Sequence, residues 1–204
     1  MSAWQLEFAQ LTALEFSEIA DVPVENIRLW RSRGHIEVSG GRGSSYPADV
    51  VAQTMVRYDL SRFAGMPPSQ SAELGRDCAT EILRSVLLNY AGACEVRGPE
   101  AAVKMFHAQF SDGSRLADMI FGSSDQGSFL ISVDGADPQL THELGQLIDS
   151  EDFRSARIFN INAYAKRLSS LKAKSVLVFR FPVMKGERET RLTMEVTSNT
   201  FPSR

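Results

Sequence analysis

The sequence predicts an α+β protein in which a mostly helical N-terminal domain precedes a C-terminal α+β domain. Apolar residues recur at helical spacing as far as Tyr90, whereas runs rich in β-branched and aromatic residues appear only after Gly98. The chain has 204 residues, of which 43% are hydrophobic. At about 100–200 residues per domain, that length suits one domain or two small ones. We therefore expect domains at residues 1–95 and 96–204.

The N-terminal part is predicted to contain five helices and one glycine-rich turn. Trp4, Phe8 and Leu11 fall on one helical face and predict the first helix. The other four helices are expected at residues 16–20, 24–33, 47–64 and 69–90. Residues 35–38 alternate in period two, and residues 39–45 are rich in glycine and serine, which together predict a small β-hairpin or wing.

The C-terminal part is predicted to combine strands with one helix. The β-rich runs are residues 127–133, 175–181 and 191–196, and the helix is expected at residues 153–172. Charge is divided unevenly here. Residues 112–152 hold one basic residue against nine acidic ones, and residues 154–191 hold ten basic residues against two acidic ones. Such blocks usually form solvated faces that pair with each other, and a binding surface is the alternative.

Composition excludes several classes of protein. A net charge of −3 argues against a chain whose whole surface coats nucleic acid or anionic lipid. Cys78 and Cys94 lack CxxC spacing and companion histidines, as expected of small buried side chains in a reducing compartment. No run reaches about 18 apolar residues, and the first ten residues carry acid where a secretory signal needs base. We expect a cytoplasmic protein that does not bind membranes.

Residues 15–46 have the layout of a winged helix-turn-helix. One short helix, packed through Phe16, Ile19 and Ala20, precedes a tight turn and a second helix packed through Val24 and Ile27, with Trp30 as a further candidate. The polar side of that second helix would lie in a major groove. Arginine neutralises phosphate or binds guanine, asparagine pairs with adenine, and a glycine-rich wing approaches the sugar-phosphate chain closely. The residues expected to contact DNA on these grounds are Asn26, Arg28, Arg31 and, at the wing tip, Arg42.

The order of these features resembles the MerR-type DNA-binding domain. The matching pattern is Ala-x-Val-Pro-x-x-x-Ile-Arg-x-Trp-x-x-x-Gly-x-Ile from Ala20 to Ile36, followed by a glycine-rich wing that closes on Tyr46. The resemblance covers roughly Leu11 to Tyr90. It implies that Arg28 holds phosphate, that Trp30 supports the recognition helix and the backbone contact, and that Tyr46 anchors the wing together with Arg42.

These observations predict a sequence-specific transcriptional regulator that binds double-stranded DNA as a homodimer. The C-terminal domain would bind a small-molecule or protein effector. Two alternatives stay open, namely a mobile-element or architectural DNA-binding adaptor and a protein-interaction module that does not bind DNA. We expect no enzyme, metal or cofactor, because the chain lacks a phosphate-binding GxxxxGK loop and the second histidine of a metalloprotease helix after His142.

Overall fold

Mixed α and β structure runs through the computed structural model, which describes residues 4–37, 45–123, 127–133, 137–144, 155–171 and 174–194. The predicted α+β class is confirmed at this level. The helices are α1 (Ala13–Ala20), α2 (Val24–Ser32), α3 (Ala48–Phe63), α4 (Ala72–Asn89), α5 (Glu100–Gln109), α6 (Gly113–Phe121) and α7 (Ile161–Ser169), with a short 3-10 turn at Ala91–Ala93. The strands are β1 (Gln5–Phe8), β2 (Gln10–Leu11), β3 (Tyr46–Pro47), β4 (Cys94–Gly98), β5 (Phe129–Val133), β6 (Gln139–Thr141), β7 (Ala156–Asn160), β8 (Leu177–Arg180) and β9 (Thr190–Thr193).

The described strands form three sheets. The largest has the order β1-β8-β4-β9, in which β4 and β8 run parallel and the other pairs run antiparallel. A three-stranded antiparallel sheet has the order β6-β5-β7, and β2 pairs with β3. Helix α5 packs against the large sheet, with the Phe106 ring centroid 5.2 Å from that of Phe179. One face of this sheet therefore belongs to the hydrophobic core.

The predicted N-terminal helix is wrong, because these residues form β1 and β2. Trp4, Leu6 and Phe8 are two residues apart, which places them on one side of an extended chain. Leu6 is opposite Phe179 in the β1–β8 pair, and the Trp4 ring centroid lies 5.5 Å from that of Phe179. Packing against β8, far along the chain, thus overrides the helical spacing of Trp4, Phe8 and Leu11.

The helix predicted at residues 153–172 is only partly correct. Residues 156–160 of this range form β7, which pairs with β5, and the helix starts only at Ile161. Asn160 separates the two elements, because its side-chain oxygen accepts a hydrogen bond from the Ala163 amide and caps α7. The predicted helices at residues 24–33, 47–64 and 69–90 correspond to α2, α3 and α4.

The predicted wing lies mostly outside the described residues, because residues 38–44 are not among them. Residues 35–37, which are described, form no strand. The strand that follows is β3, and it pairs with β2 rather than with residues 35–37, so that Leu11 is opposite Tyr46.

Buried side chains from both halves of the chain belong to one hydrophobic cluster, in which α4 packs against α3, α6 and α7. Strand β1 comes from the N-terminal half but pairs with β8 from the C-terminal half. The division at residue 95 stays a prediction, and the β1–β8 pair joins the two sides of it. Within the described ranges, no helix has both the length and the apolar character needed to cross a membrane.

Candidate nucleic-acid interface

Helices α1 and α2 form a closely joined pair. Thr12 and Glu15 begin α1 with a capping box, in which the Glu15 amide donates to Thr12 Oγ1 at 3.3 Å and the Thr12 amide donates to Glu15 Oε2 at 2.7 Å. At the other end of α1, Asp21 has a left-handed backbone with φ of 54°. This conformation ends the helix and lets the chain reverse before α2 begins at Val24.

The inner sides of the pair are buried in the core. Phe16 and Ala20 of α1 and Ile27 and Trp30 of α2 are buried, whereas the other predicted packing residues, Ile19 and Val24, are half-buried. Phe16 also packs edge-on against Tyr46, with ring centroids 5.1 Å apart. The position and rotation of α2 are therefore fixed by its apolar side, which leaves the opposite side to solvent.

The exposed face of α2 consists of Glu25, Arg28, Leu29, Arg31 and Ser32. Among the described residues, no carboxylate forms an ion pair with Arg28. Arg28 and Arg31 are both exposed, and the predicted phosphate contact is sterically open for Arg28. Arg42, the third predicted arginine, lies outside the described residues.

Asn26 is less accessible than a base-reading residue usually is. Its side chain is half-buried, and Nδ2 lies 3.5 Å from the Tyr58 hydroxyl on α3, at the outer limit of a hydrogen bond. To reach a base edge, the Asn26 amide has to turn away from Tyr58. Its predicted role stays a prediction.

Trp30 and Tyr46 occupy packing positions. The Trp30 ring centroid lies 6.1 Å from that of Tyr58 and 6.4 Å from that of His35, and Tyr46 is only 2% exposed. Both rings thus suit the supporting roles implied for them, in which the helix and the chain beyond the wing are held in place. Their share in a DNA contact stays a prediction.

Arg57 is a structural residue that sequence reasoning missed. It is 6% exposed, and its guanidinium donates from Nη1 to the His35 carbonyl at 2.6 Å and from Nη2 to the Pro68 carbonyl at 2.8 Å. The guanidinium carbon also lies 5.7 Å from the centroid of the Trp30 ring. Arg57 therefore joins the end of α2 to the turn between α3 and α4. A glycine within α4 was an available signal, since a Cβ on Gly75 would lie 2.6 Å from Arg57 Cγ.

The C-terminal half of the chain also holds the helix pair in place. Lys174 Nζ donates to the Gln10 carbonyl at 3.1 Å and to Glu15 Oε1 at 2.6 Å. The Lys174 ammonium and the Thr12 amide hold the pKa of Glu15 below its ordinary value. On α7, Arg167 Nε donates to the Ile19 carbonyl at 3.1 Å. Both ends of α1 thus bond to the C-terminal half.

A second group of arginines lies on the face of the large sheet opposite α5, here called the outer sheet face. Arg180, Arg97 and Arg191 are neighbours across β8, β4 and β9. Arg97 pairs with Glu95 at 2.7 Å, and Arg180 pairs with Glu7 at 2.8 Å and with Glu189 at 2.7 Å. Arg191 Nη2 lies 3.4 Å from the same Glu189.

The described ion pairs bear on the predicted pairing of the two charge blocks, which stays a prediction. Among the described residues, Lys174, Arg180 and Arg191 of the basic block pair with Glu15, Glu7 and Glu189, which lie outside the acidic block of residues 112–152. The outer sheet face neutralises its own arginines, because each one lies beside a glutamate.

Comparison with models of known protein families gives no match, and comparison with curated proteins gives none either. Within the described residues, no group of three or more His, Cys, Asp or Glu side chains is placed to hold a metal ion. The geometry of the α1–α2 pair is therefore the basis for proposing a function.

Proposed function

We propose that the protein is a transcriptional regulator that binds double-stranded DNA sequence-specifically, with the exposed face of α2 in the major groove. The observation that carries this proposal is Arg28, an exposed arginine without a carboxylate partner among the described residues, on a helix whose other side is buried. The resemblance of residues 11–90 to the MerR-type domain supports the same conclusion.

A helix that binds DNA needs a fixed orientation as well as positive charge. A helix fits the major groove of B-DNA, which is about 12 Å wide, only if its outer residues keep a fixed direction. Ile27 and Trp30 fix the rotation of α2, and the bond from Arg57 to the His35 carbonyl fixes the chain just after it. Arg28 then faces phosphate with little loss of backbone freedom on binding.

A homodimer is the expected binding form. Helix α2 has nine residues, and one such helix contacts few base pairs. Two copies related by a twofold axis read two half-sites, which multiplies specificity. In this proposal, the C-terminal α+β half contributes to dimerisation or to binding of an effector.

The test is selection of genomic DNA fragments by the purified protein, followed by sequencing, at about 150 mM salt so that nonspecific attraction is partly screened. The expected result is one enriched inverted repeat. Arg28→Ala should bind this repeat about tenfold more weakly, because a phosphate contact is lost while the reading of base edges remains. Arg115→Ala should bind the repeat with wild-type affinity, because Arg115 is an exposed arginine on α6, outside the proposed interface. Wild-type affinity of Arg28→Ala for the repeat would contradict the proposed interface.

A second candidate is a protein-interaction module, and one observation favours it. Leu14 on α1 is 64% exposed and Leu29 on α2 is 41% exposed, so the helix pair presents apolar side chains as well as arginine. Under this alternative, the selection yields no enriched motif. The protein binds DNA only weakly and in a salt-sensitive way, and Arg28→Ala and Arg115→Ala change that binding to the same extent.

A further inference from the structure

A cavity of about 390 Å³ lies beside the end of α2. Residues 34–37 form one side of it, the first half of α3 forms another, and the start of α4 closes it. The carboxylate and guanidinium side chains that line it are Glu37, Asp49, Arg57 and Arg76. Its volume falls within the range of about 300–1,000 Å³ that is typical of small-molecule sites.

Two buried polar atoms of this lining have no hydrogen-bond partner among the described residues, namely Asp49 Oδ1 and Arg57 Nε. The two terminal nitrogens of Arg57 bond to the His35 and Pro68 carbonyls, so Nε is the nitrogen left over. Buried polar atoms are normally satisfied. One unsatisfied donor and one unsatisfied acceptor belong to side chains that line the same cavity, which indicates a ligand that carries both an acceptor and a donor.

The charges around the cavity are arranged as two pairs of like sign. Burial raises the pKa of Asp49, and the nearby Glu37 carboxylate raises it further, although backbone amides oppose them. Burial lowers the pKa of Arg57, and the nearby Arg76 guanidinium lowers it further. In the described part of the chain, no ion pair links the carboxylates to the guanidiniums.

This arrangement selects among ligand classes. An inorganic anion would neutralise Arg57 and Arg76 but would add to the repulsion around Glu37 and Asp49. A simple cation would neutralise Glu37 and Asp49 but would add to the repulsion around Arg57 and Arg76. A small molecule with a carboxylate at one end and an ammonium at the other satisfies both pairs at once.

We propose that this cavity binds a small zwitterion of the amino-acid class, with its carboxylate on Arg57 and Arg76 and its ammonium on Asp49 and Glu37. Binding itself does not depend on the proposed function. An effect on DNA binding rests on it, and such an effect is expected because Arg57 also bonds to the His35 carbonyl next to α2.

The experiment measures binding of the common amino acids to the full chain by calorimetry, without DNA. For each amino acid that binds, the matched amine without the carboxylate and the N-acetylated acid without the ammonium are measured as well. We expect at least one amino acid to bind, and each matched compound to bind about tenfold more weakly or worse.

Three variants separate this site from adventitious binding. Arg76→Gln and Glu37→Gln change exposed side chains at the cavity, and each should weaken amino-acid binding by about tenfold. Arg62→Gln changes an exposed arginine on α3 outside the cavity lining and should leave affinity unchanged. The proposal is overturned if no amino acid binds at millimolar concentration, or if all three variants bind like the wild type.

The DNA arm is measured separately, by adding the amino acid that binds to the protein–DNA complex. A changed DNA affinity, absent in Arg76→Gln, is the expected result. Binding of the amino acid to a protein that selects no DNA motif would support the cavity and contradict the proposed function. Selection of a motif without any amino-acid binding would support the proposed function and contradict the proposal for the cavity.

Discussion

The exposed face of α2 and the outer sheet face both carry arginine, yet their arginines are in different electrostatic states. Arg97, Arg180 and Arg191 on the sheet each lie within 3.4 Å of a glutamate oxygen. Arg28 on α2 has no such neighbour among the described residues. A count of basic residues favours the sheet as the phosphate-binding surface. The distribution of their carboxylate partners favours α2 instead. Local pairing, more than local composition, decides which surface is open to phosphate.

The largest effect is expected on the buried side of α2. Ile27 is fully buried and directly precedes the exposed Arg28. Ile27→Ala should lower the free energy of unfolding by about 2–5 kcal/mol, through lost burial and the cavity left behind. Arg28→Ala should change it by less than about 0.5 kcal/mol, as is usual for surface substitutions. Urea unfolding of both variants checks this contrast, and similar losses in both would contradict the orientation assigned to α2.

The next effect concerns the residue that holds the end of α2. Gly75→Ala places a Cβ about 2.6 Å from Arg57 Cγ, and the doubly bonded guanidinium leaves the side chain little room to move. We expect a loss of about 1–3 kcal/mol in the free energy of unfolding, as for other overpacked interiors. Gly92→Ala is the control, because no atom lies within 4 Å of a Cβ at that position. Equal stability of the two variants would show that Arg57 is not held as described.

A smaller effect tests whether pairing silences the outer sheet face. Glu7→Gln combined with Glu189→Gln removes both carboxylates from Arg180. We expect each substitution to change stability by less than about 1 kcal/mol. The salt slope of nonspecific DNA binding should increase by about one to two units, because Glu189 is also the carboxylate beside Arg191. Glu73→Gln combined with Asp77→Asn removes the same charge from exposed positions on α4. If that control raises the slope equally, net charge rather than pairing explains the difference between the two faces.

The smallest effect is a pH dependence of the outer sheet face. Burial alone would raise the pKa of Glu95, but the hydrogen bonds from Arg97 and Ser175 and the Arg97 charge bring it below its ordinary value. A carboxyl with a lowered pKa in the folded protein contributes stability that is present above its ordinary pKa of 4.5 and is lost as pH falls through the lower folded value. The stability difference between wild type and Glu95→Gln should therefore shrink between pH 7 and pH 3. Urea unfolding at both values checks it, and a difference that grows in acid would contradict this account.

Local patterns in the sequence predict the elements whose burial depends on neighbours along the chain. The helical spacing of apolar residues predicts α2, α3 and α4, and the β-rich runs predict β5, β8 and β9. Strand β1 is missed because Trp4, Leu6 and Phe8 satisfy period two while Trp4, Phe8 and Leu11 satisfy helical spacing. Only the pairing of Leu6 with Phe179 decides between the two periods.

In the candidate site too, some residues are predictable from local patterns and others are not. Burial of Phe16 and Ile27 and exposure of Arg28 follow from helical periodicity, so the sequence predicts them correctly. The role of Arg57 depends on the backbone carbonyls of His35 and Pro68. No side-chain pattern encodes the position of a distant carbonyl, and an arginine on a helix is ordinarily interpreted as a surface residue.

The most direct test of the central claim is the salt dependence of DNA affinity for Arg28→Ala beside Arg191→Ala, on the motif that the wild type selects. Both substitutions remove one exposed arginine and the same charge. We predict that Arg28→Ala lowers affinity by about tenfold and reduces the salt slope by about one unit, because one phosphate contact is lost. Arg191→Ala should leave both quantities unchanged. Identical behaviour of the two variants would contradict the claim that the exposed face of α2 binds DNA.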